Sequence, residues 1–148
     1  MSYLRIPVPL TMIEVSLSSA ATVSTGSMVP FDTVRATGSH GVTVNSSTGE
    51  VTLDTSKQYY IQASVDVSRS STTTGFRFAW VDSTGTEIGV ASGGYDAQWD
   101  YNNNSTATYT AVYQSTTPVS PIRLKVDSIS ASSTLNLATK LFILEVTA

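Results

Sequence analysis

Apolar and polar residues alternate at period two along much of this chain, and that alternation predicts strands. The clearest stretch is Gln58 to Ser68, where Tyr59, Ile61, Ala63, Val65 and Val67 share one face against Tyr60, Gln62, Ser64 and Asp66 on the other. A strand of that kind buries one side and leaves the other polar. Upstream, Ile13, Val15 and Leu17 share a parity in a short strand predicted over Thr11 to Leu17. Ser18 to Ser27 reads as a serine- and threonine-rich loop, and an apolar piece, Met28 to Val34, follows it. Val42 and Val44 alternate with polar residues, Asn45 to Gly49 makes a turn, and Glu50 to Leu53 resumes the alternation.

Downstream, Gly75 to Val81 places Phe76, Phe78 and Trp80 on one face. Asp82-Ser83-Thr84-Gly85 is a hairpin turn in which glycine supplies positive φ, and Thr86 to Ala91 is the predicted returning strand. Ser92 to Ser105 is the longest irregular stretch. Thr106 to Tyr113 alternates again, Pro118 and Pro121 mark a turn, and Ile122, Leu124 and Val126 line the inner face of the next strand. Ser128 to Thr134 is polar, and a brief apolar segment, Leu135 to Leu137, precedes a final strand from Lys140 to Val146. No helical stripe and no solenoid or propeller period interrupts this pattern, so it predicts an all-β sandwich or barrel.

Composition narrows the reading. In 148 residues the hydrophobic fraction is 41% and the charged fraction only 13%, with serine and threonine carrying the solvent-facing polarity. Eight basic and eleven acidic side chains leave a net charge of −3, and no Lys/Arg cluster occurs, which argues against a nucleic-acid groove. There is no cysteine, so disulfides and thiolate metal sites are excluded and stability must come from the sheets or from oligomerisation. No apolar run approaches a helical membrane span. Residues 1–10, MSYLRIPVPL, are expected to form an extended arm rather than a signal peptide, with residues 11–148 as one domain. Tyr3, Leu4, Ile6, Val8 and Leu10 of that arm could give apolar or strand-addition contacts to a partner, or complete the protein's own sandwich.

Candidate chemistry is sparse. The single histidine, His40, lies between Ser39 and Gly41 with no motif that would make it a catalytic base. Carboxylate pairs drawn from Glu87, Asp96 and Asp100 have nothing beside them that would raise one pKa for glycoside hydrolysis. Asp96, Asp100 and Asn102 to Asn104 offer hard oxygen ligands, but not at the spacing of a known calcium loop. The expectation is therefore no enzyme, no cofactor and no metal. One segment, Tyr95 to Asn102, stands out: Tyr95, Trp99 and Tyr101 beside carboxylates and amides could contact a glycan, form a subunit or partner interface, or fold back over the sandwich.

The order of features resembles the C1q/TNF-like jelly-roll superfamily. Val29-Pro30-Phe31 is similar to that family's first "V-x-F" strand, Thr48-Gly49-Glu50-Val51-Thr52 to its "T-G" hairpin, and Lys57 to Ile61 to the entry of its long core strand. Phe76 to Ile88 around Gly85, Ile122 to Val126 and Phe142-Ile143-Leu144 are similar to its later strands. The resemblance spans most of residues 28–148 and implies a jelly-roll sandwich of about ten short antiparallel strands. It also implies a homotrimer formed through aromatic and aliphatic side chains on one sheet. There is no collagen-like stalk, and the short, cysteine-free chain with its proline-containing arm looks most like phage virion accessory proteins. That likeness implies a capsid decoration or head-fibre protein at the virion surface, with the major capsid protein as partner and neither nucleic acid nor membrane. The alternative it leaves is a receptor- or carbohydrate-binding tip domain.

Overall fold

The computed structural model describes residues 12–36, 41–68, 76–88, 92–94, 106–115, 118–129 and 133–146. They form twelve strands: β1 (Met12–Ser16), β2 (Ala21–Val23), β3 (Thr33–Ala36), β4 (Thr43–Asn45), β5 (Glu50–Thr52), β6 (Gln58–Ser68), β7 (Phe76–Asp82), β8 (Ser92–Gly94), β9 (Thr106–Ser115), β10 (Ile122–Ile129), β11 (Ser133–Leu135) and β12 (Lys140–Val146). Every pairing is antiparallel, and no helix occurs among the described residues. The strands divide into two sheets. The smaller has the order β4-β5-β10-β7-β8. In the larger, β6 pairs with β9 along one edge, while its other edge is shared by β12, which continues to β1 and β3, and by β11, which continues to β2. After β3 the chain repeatedly passes from one sheet to the other, which gives the jelly-roll order.

The predicted alternation becomes the core. Tyr59, Ile61, Ala63, Val65 and Val67 of β6 are all buried, and so are Ile13, Val15 and Leu17, the latter just beyond β1. They meet Val51, Phe78, Trp80, Ile122, Leu124 and Val126 from the smaller sheet in one continuous cluster. The predicted boundaries of β6 and β12 coincide with the observed ones.

Two short strands fall where the sequence predicts loop. β2 lies within Ser18 to Ser27, and its three residues are strand because the edge of β11 pairs with them, not because of any local period. β8 opens the stretch read as irregular, and its Ser-Gly-Gly composition has no side-chain alternation to reveal it. The segment read as Leu135 to Leu137 is instead strand at Ser133–Leu135, and Leu137 is 56% exposed in the following turn. Of the predicted strand Thr86 to Ala91, the described part makes a bridge from Glu87 to Val81 and a bond from Ile88 N to Trp80 O at 2.8 Å.

The V-x-F piece and the T-G hairpin meet in space. Residues Gly26 to Val29 run along β10, with Val29 N donating to Leu124 O and Gly26 N to Val126 O, both at 2.8 Å. This buries Val29 and Phe31 completely. The β4–β5 turn then lies against them at Gly49, whose φ is +70° and where a Cβ would stand 2.1 Å from Val29 O. Only glycine satisfies both the dihedral and the approach.

Candidate functional site

The two outer faces of the sandwich differ in chemistry. On the smaller sheet the face is charged and paired. Arg77 donates to both carboxylate oxygens of Glu87 at 2.8 Å and also pairs with Asp127. Asp127 is the extra residue of a bulge in β10, which turns it toward Arg77, and Lys125 approaches it at 3.7 Å. Arg123 lies 3.7 Å from Glu50 and donates to Ser83 O at 3.0 Å. In the ladder Arg123 and Lys125 stand opposite Val81 and Ala79, which are buried. Cation stems covering small apolar residues with their heads in water make a solvated surface.

The outer face of the larger sheet is graded instead. Its ladder rows run Met12–Leu144–Tyr60–Gln114, then Glu14–Phe142–Gln62–Val112, then Ser16–Lys140–Ser64–Thr110, and finally Asp66–Thr108 and Ser68–Thr106. The first two rows bring Leu144, Tyr60, Phe142 and Gln62 together without a charge at their centre. Met12 is 55% exposed, Tyr60, Phe142 and Leu144 are half-buried, and Tyr60 Oη donates to Gln62 Oε1 at 3.3 Å. The described charges of this face stand toward its margins: Glu14 with Lys140 at 3.2 Å, Arg35 opposite Glu14 in the ladder, and Asp66 at the far end. An aromatic and aliphatic centre with a polar margin is the composition of a protein–protein contact surface.

An open groove of about 420 Å³ borders this face, lined by Glu14, Ser16, Leu17, Ser18, Thr33, Arg35, Leu137 and Lys140. Ser18 of this lining is held by Asp32, which accepts from Ser18 N at 2.8 Å and Ser18 Oγ at 2.5 Å. The Ser18 hydroxyl holds the Asp32 carboxyl below the usual aspartate range, and Thr33 adds to the effect. Asp54 is lowered in the same way by Ser56, and Asp82 by the Thr84 hydroxyl and the backbone donors of Thr84 and Thr86. The Glu145 carboxylate, 3.0 Å from Lys57, raises that ammonium. These shifts arise from turns and a surface ion pair. They hold loops in place and prepare no group for acid–base work.

Tyr3, Leu4, Ile6, Val8 and Leu10, the aromatic trio Tyr95, Trp99 and Tyr101, and His40, Asp96 and Asp100 all lie outside the described residues. Glu87 is described and is bound to Arg77. Tyr60 was legible only as the second parity of a predicted strand, and Phe142 and Leu144 only as members of the predicted final strand. Met12 carries no signal of its own until β1 is set beside β12.

No protein-family model matches the sequence, and no curated protein matches it either. Solved structures do. A TNF, Eiger, from S. frugiperda superposes with a TM-score of 0.67 at 11% identity, over 95% of this chain and 94% of that one. Murine APRIL at pH 8.0 gives 0.62 at 12% identity, and at pH 8.5 gives 0.61 at 13%, each over 93% of this chain and 100% of that one. At such identities the likeness concerns the backbone path, and the path agrees with the sheet orders described above. This chain has the C1q/TNF-like jelly-roll fold.

Proposed function

We propose that this protein is a non-enzymatic assembly module that self-associates as a homotrimer through the outer face of its larger sheet and serves as a virion structural protein. In that role it decorates a phage capsid or forms part of a head fibre, with the major capsid protein as its partner on the particle surface. The observation that carries the reading is the asymmetry of the two faces. One is saturated with paired charge, while the other gathers Met12, Leu144, Tyr60 and Phe142 on adjoining ladder rows. A cysteine-free sandwich gains stability by burying such a face against copies of itself. The jelly-roll fold supports threefold packing through the resemblance already described, and residues 1–10 would be the attachment arm.

Light scattering on the purified chain tests the trimer, and a monodisperse monomer at micromolar concentration would refute it. Binding of the chain lacking residues 1–10 to isolated phage shells tests attachment, and unchanged occupancy would remove the arm from the mechanism. The groove beside Arg35 favours a second reading, a receptor- or carbohydrate-binding tip, because it joins a cation, hydroxyls and the exposed Leu137 in one concavity. In that case Arg35→Ala should abolish binding on a sugar array while leaving assembly intact.

A further inference from the structure

The open groove beside β1 presents its hydrogen-bonding groups with a definite polarity. Thr33 and Arg35 line it from β3, Ser18 from the segment after β1, and Leu137 from the turn before β12. Ser18 and Thr33 both give their hydroxyl protons to Asp32: Ser18 Oγ donates to Oδ2 at 2.5 Å and Thr33 Oγ1 to Oδ1 at 3.0 Å. A hydroxyl has one proton and two lone pairs, so each of these has only acceptor capacity left. Asp32 is ionised at neutral pH and has no proton to return. The donors stand elsewhere. Arg35 is exposed, lies opposite Glu14 in the ladder, and meets no carboxylate at ion-pair distance among the described residues. Glu14 is held instead by Lys140, at 3.2 Å. The planar fork of Arg35 is therefore open to a bidentate acceptor.

A fitting ligand brings an acceptor pair to Arg35 and hydroxyl donors to Ser18 and Thr33. A sulfate or phosphate group offers acceptors alone, and would face those two hydroxyls and the negative charges of Glu14 and Asp32. A neutral sugar leaves Arg35 unmatched. A carboxylate carried on a ring of hydroxyls satisfies both sides. Resting on the carbohydrate-binding reading above, we infer that this groove binds a carboxylated sugar, a uronic or sialic acid residue. Its carboxylate lies on Arg35 and its ring hydroxyls donate to Ser18 and Thr33. Leu137, 56% exposed, supplies apolar surface for the ring C–H groups. The volume of about 420 Å³ is in the usual range of small-ligand clefts. Ser18, Arg35 and Leu137 are exposed and Thr33 is half-buried, so a ligand reaches them from solvent. Thr33 and Lys140 stand two ladder rows from Met12 and Leu144, so the site and the proposed trimer face use different side chains.

The experiment titrates the full chain, Arg35→Ala and Thr33→Val with methyl glucuronoside, methyl glucoside, a methyl sialoside and glucose 6-sulfate. Binding is read by saturation-transfer NMR, and a thermal melt confirms that each variant folds. Wild type should bind an acidic sugar on the order of tenfold tighter than the glucoside. In Arg35→Ala that preference should vanish, whereas Thr33→Val should weaken all the sugars together and keep it. A glucoside bound as tightly as both acidic sugars, or a preference that survives Arg35→Ala, would overturn the inference while leaving the carbohydrate reading standing. Equal or tighter binding of the sulfate would do the same, marking a general anion site. Binding of an aspartate-containing peptide in place of every sugar would assign the groove to a protein partner and overturn it too. No binding of any of the four sugars at millimolar concentration would remove the carbohydrate reading itself.

Discussion

At the scale of single residues, two positions do more than their side chains suggest. Gly49 combines a φ of +70° with a backbone approach that a Cβ would reduce to 2.1 Å. Gly49→Ala should therefore destabilise the fold by about 2–4 kcal/mol, from left-handed backbone cost plus forced displacement of Val29. A lower urea midpoint with an unchanged slope is the expected result. Gly85 has a similar φ of +88° but open space around it, so Gly85→Ala should cost less than Gly49→Ala. The aspartates at turns give a pH signature. Asp32, Asp54 and Asp82 all titrate lower in the folded chain than an ordinary aspartate because serine or threonine donors hold their ionised forms. The unfolded chain then binds more protons in acid, so their stabilisation is complete above about pH 4–5 and lost as pH falls through the folded values. Melts from pH 6 to pH 3 should show stability falling only at the acid end, and Asp82→Ala should make the fall shallower.

At the scale of elements, β6 decides the larger sheet. Its eleven residues alternate without exception between buried and half-buried, which is why the period in the sequence locates it so well. The gap on its second edge, between the end of β12 pairing at Ser64 and the start of β11 pairing at Val67, has no such trace. Thr139 closes it, fully buried, by bonding both backbone groups of Asp66. Thr139→Val keeps the shape and removes the hydroxyl, stranding the Asp66 N–H while Asn136 N still serves its carbonyl, and should cost about 1–3 kcal/mol of stability. Faster amide exchange at Asp66 than at Val65 would localise the loss. By contrast, Arg77→Ala removes exposed ion pairs with Glu87 and Asp127, and its effect on thermal stability should be small and diminish further with salt.

At the scale of the whole molecule, the unequal outer faces lead to the strongest expectation. Leu144→Asp places a charge in the apolar row beside Tyr60 and Met12, outside the core cluster. It should convert the proposed trimer to a folded monomer in light scattering while leaving the melt of the protomer within a few degrees. The elements behind that prediction differ in how far they can be read without coordinates. The period of two in β1, β6 and β10 is enough to name the buried parity and the all-β class, because a strand must bury one side and alternation says which. The resemblance built on Val29 to Phe31, Thr48 to Thr52 and Lys57 to Ile61 extends this to the jelly-roll order. β2 and β8 remain hidden because a neighbouring edge, not their own composition, makes them strands. The proposed contact surface is hidden for a related reason. Met12, Tyr60, Phe142 and Leu144 lie far apart along the chain, and only strand pairing in a definite register brings them into neighbouring rows. The sequence by itself therefore determined which side of each alternating strand faces inward, since that depends on local alternation. Tertiary structure alone decided which outward residues become neighbours, since that depends on long-range pairing.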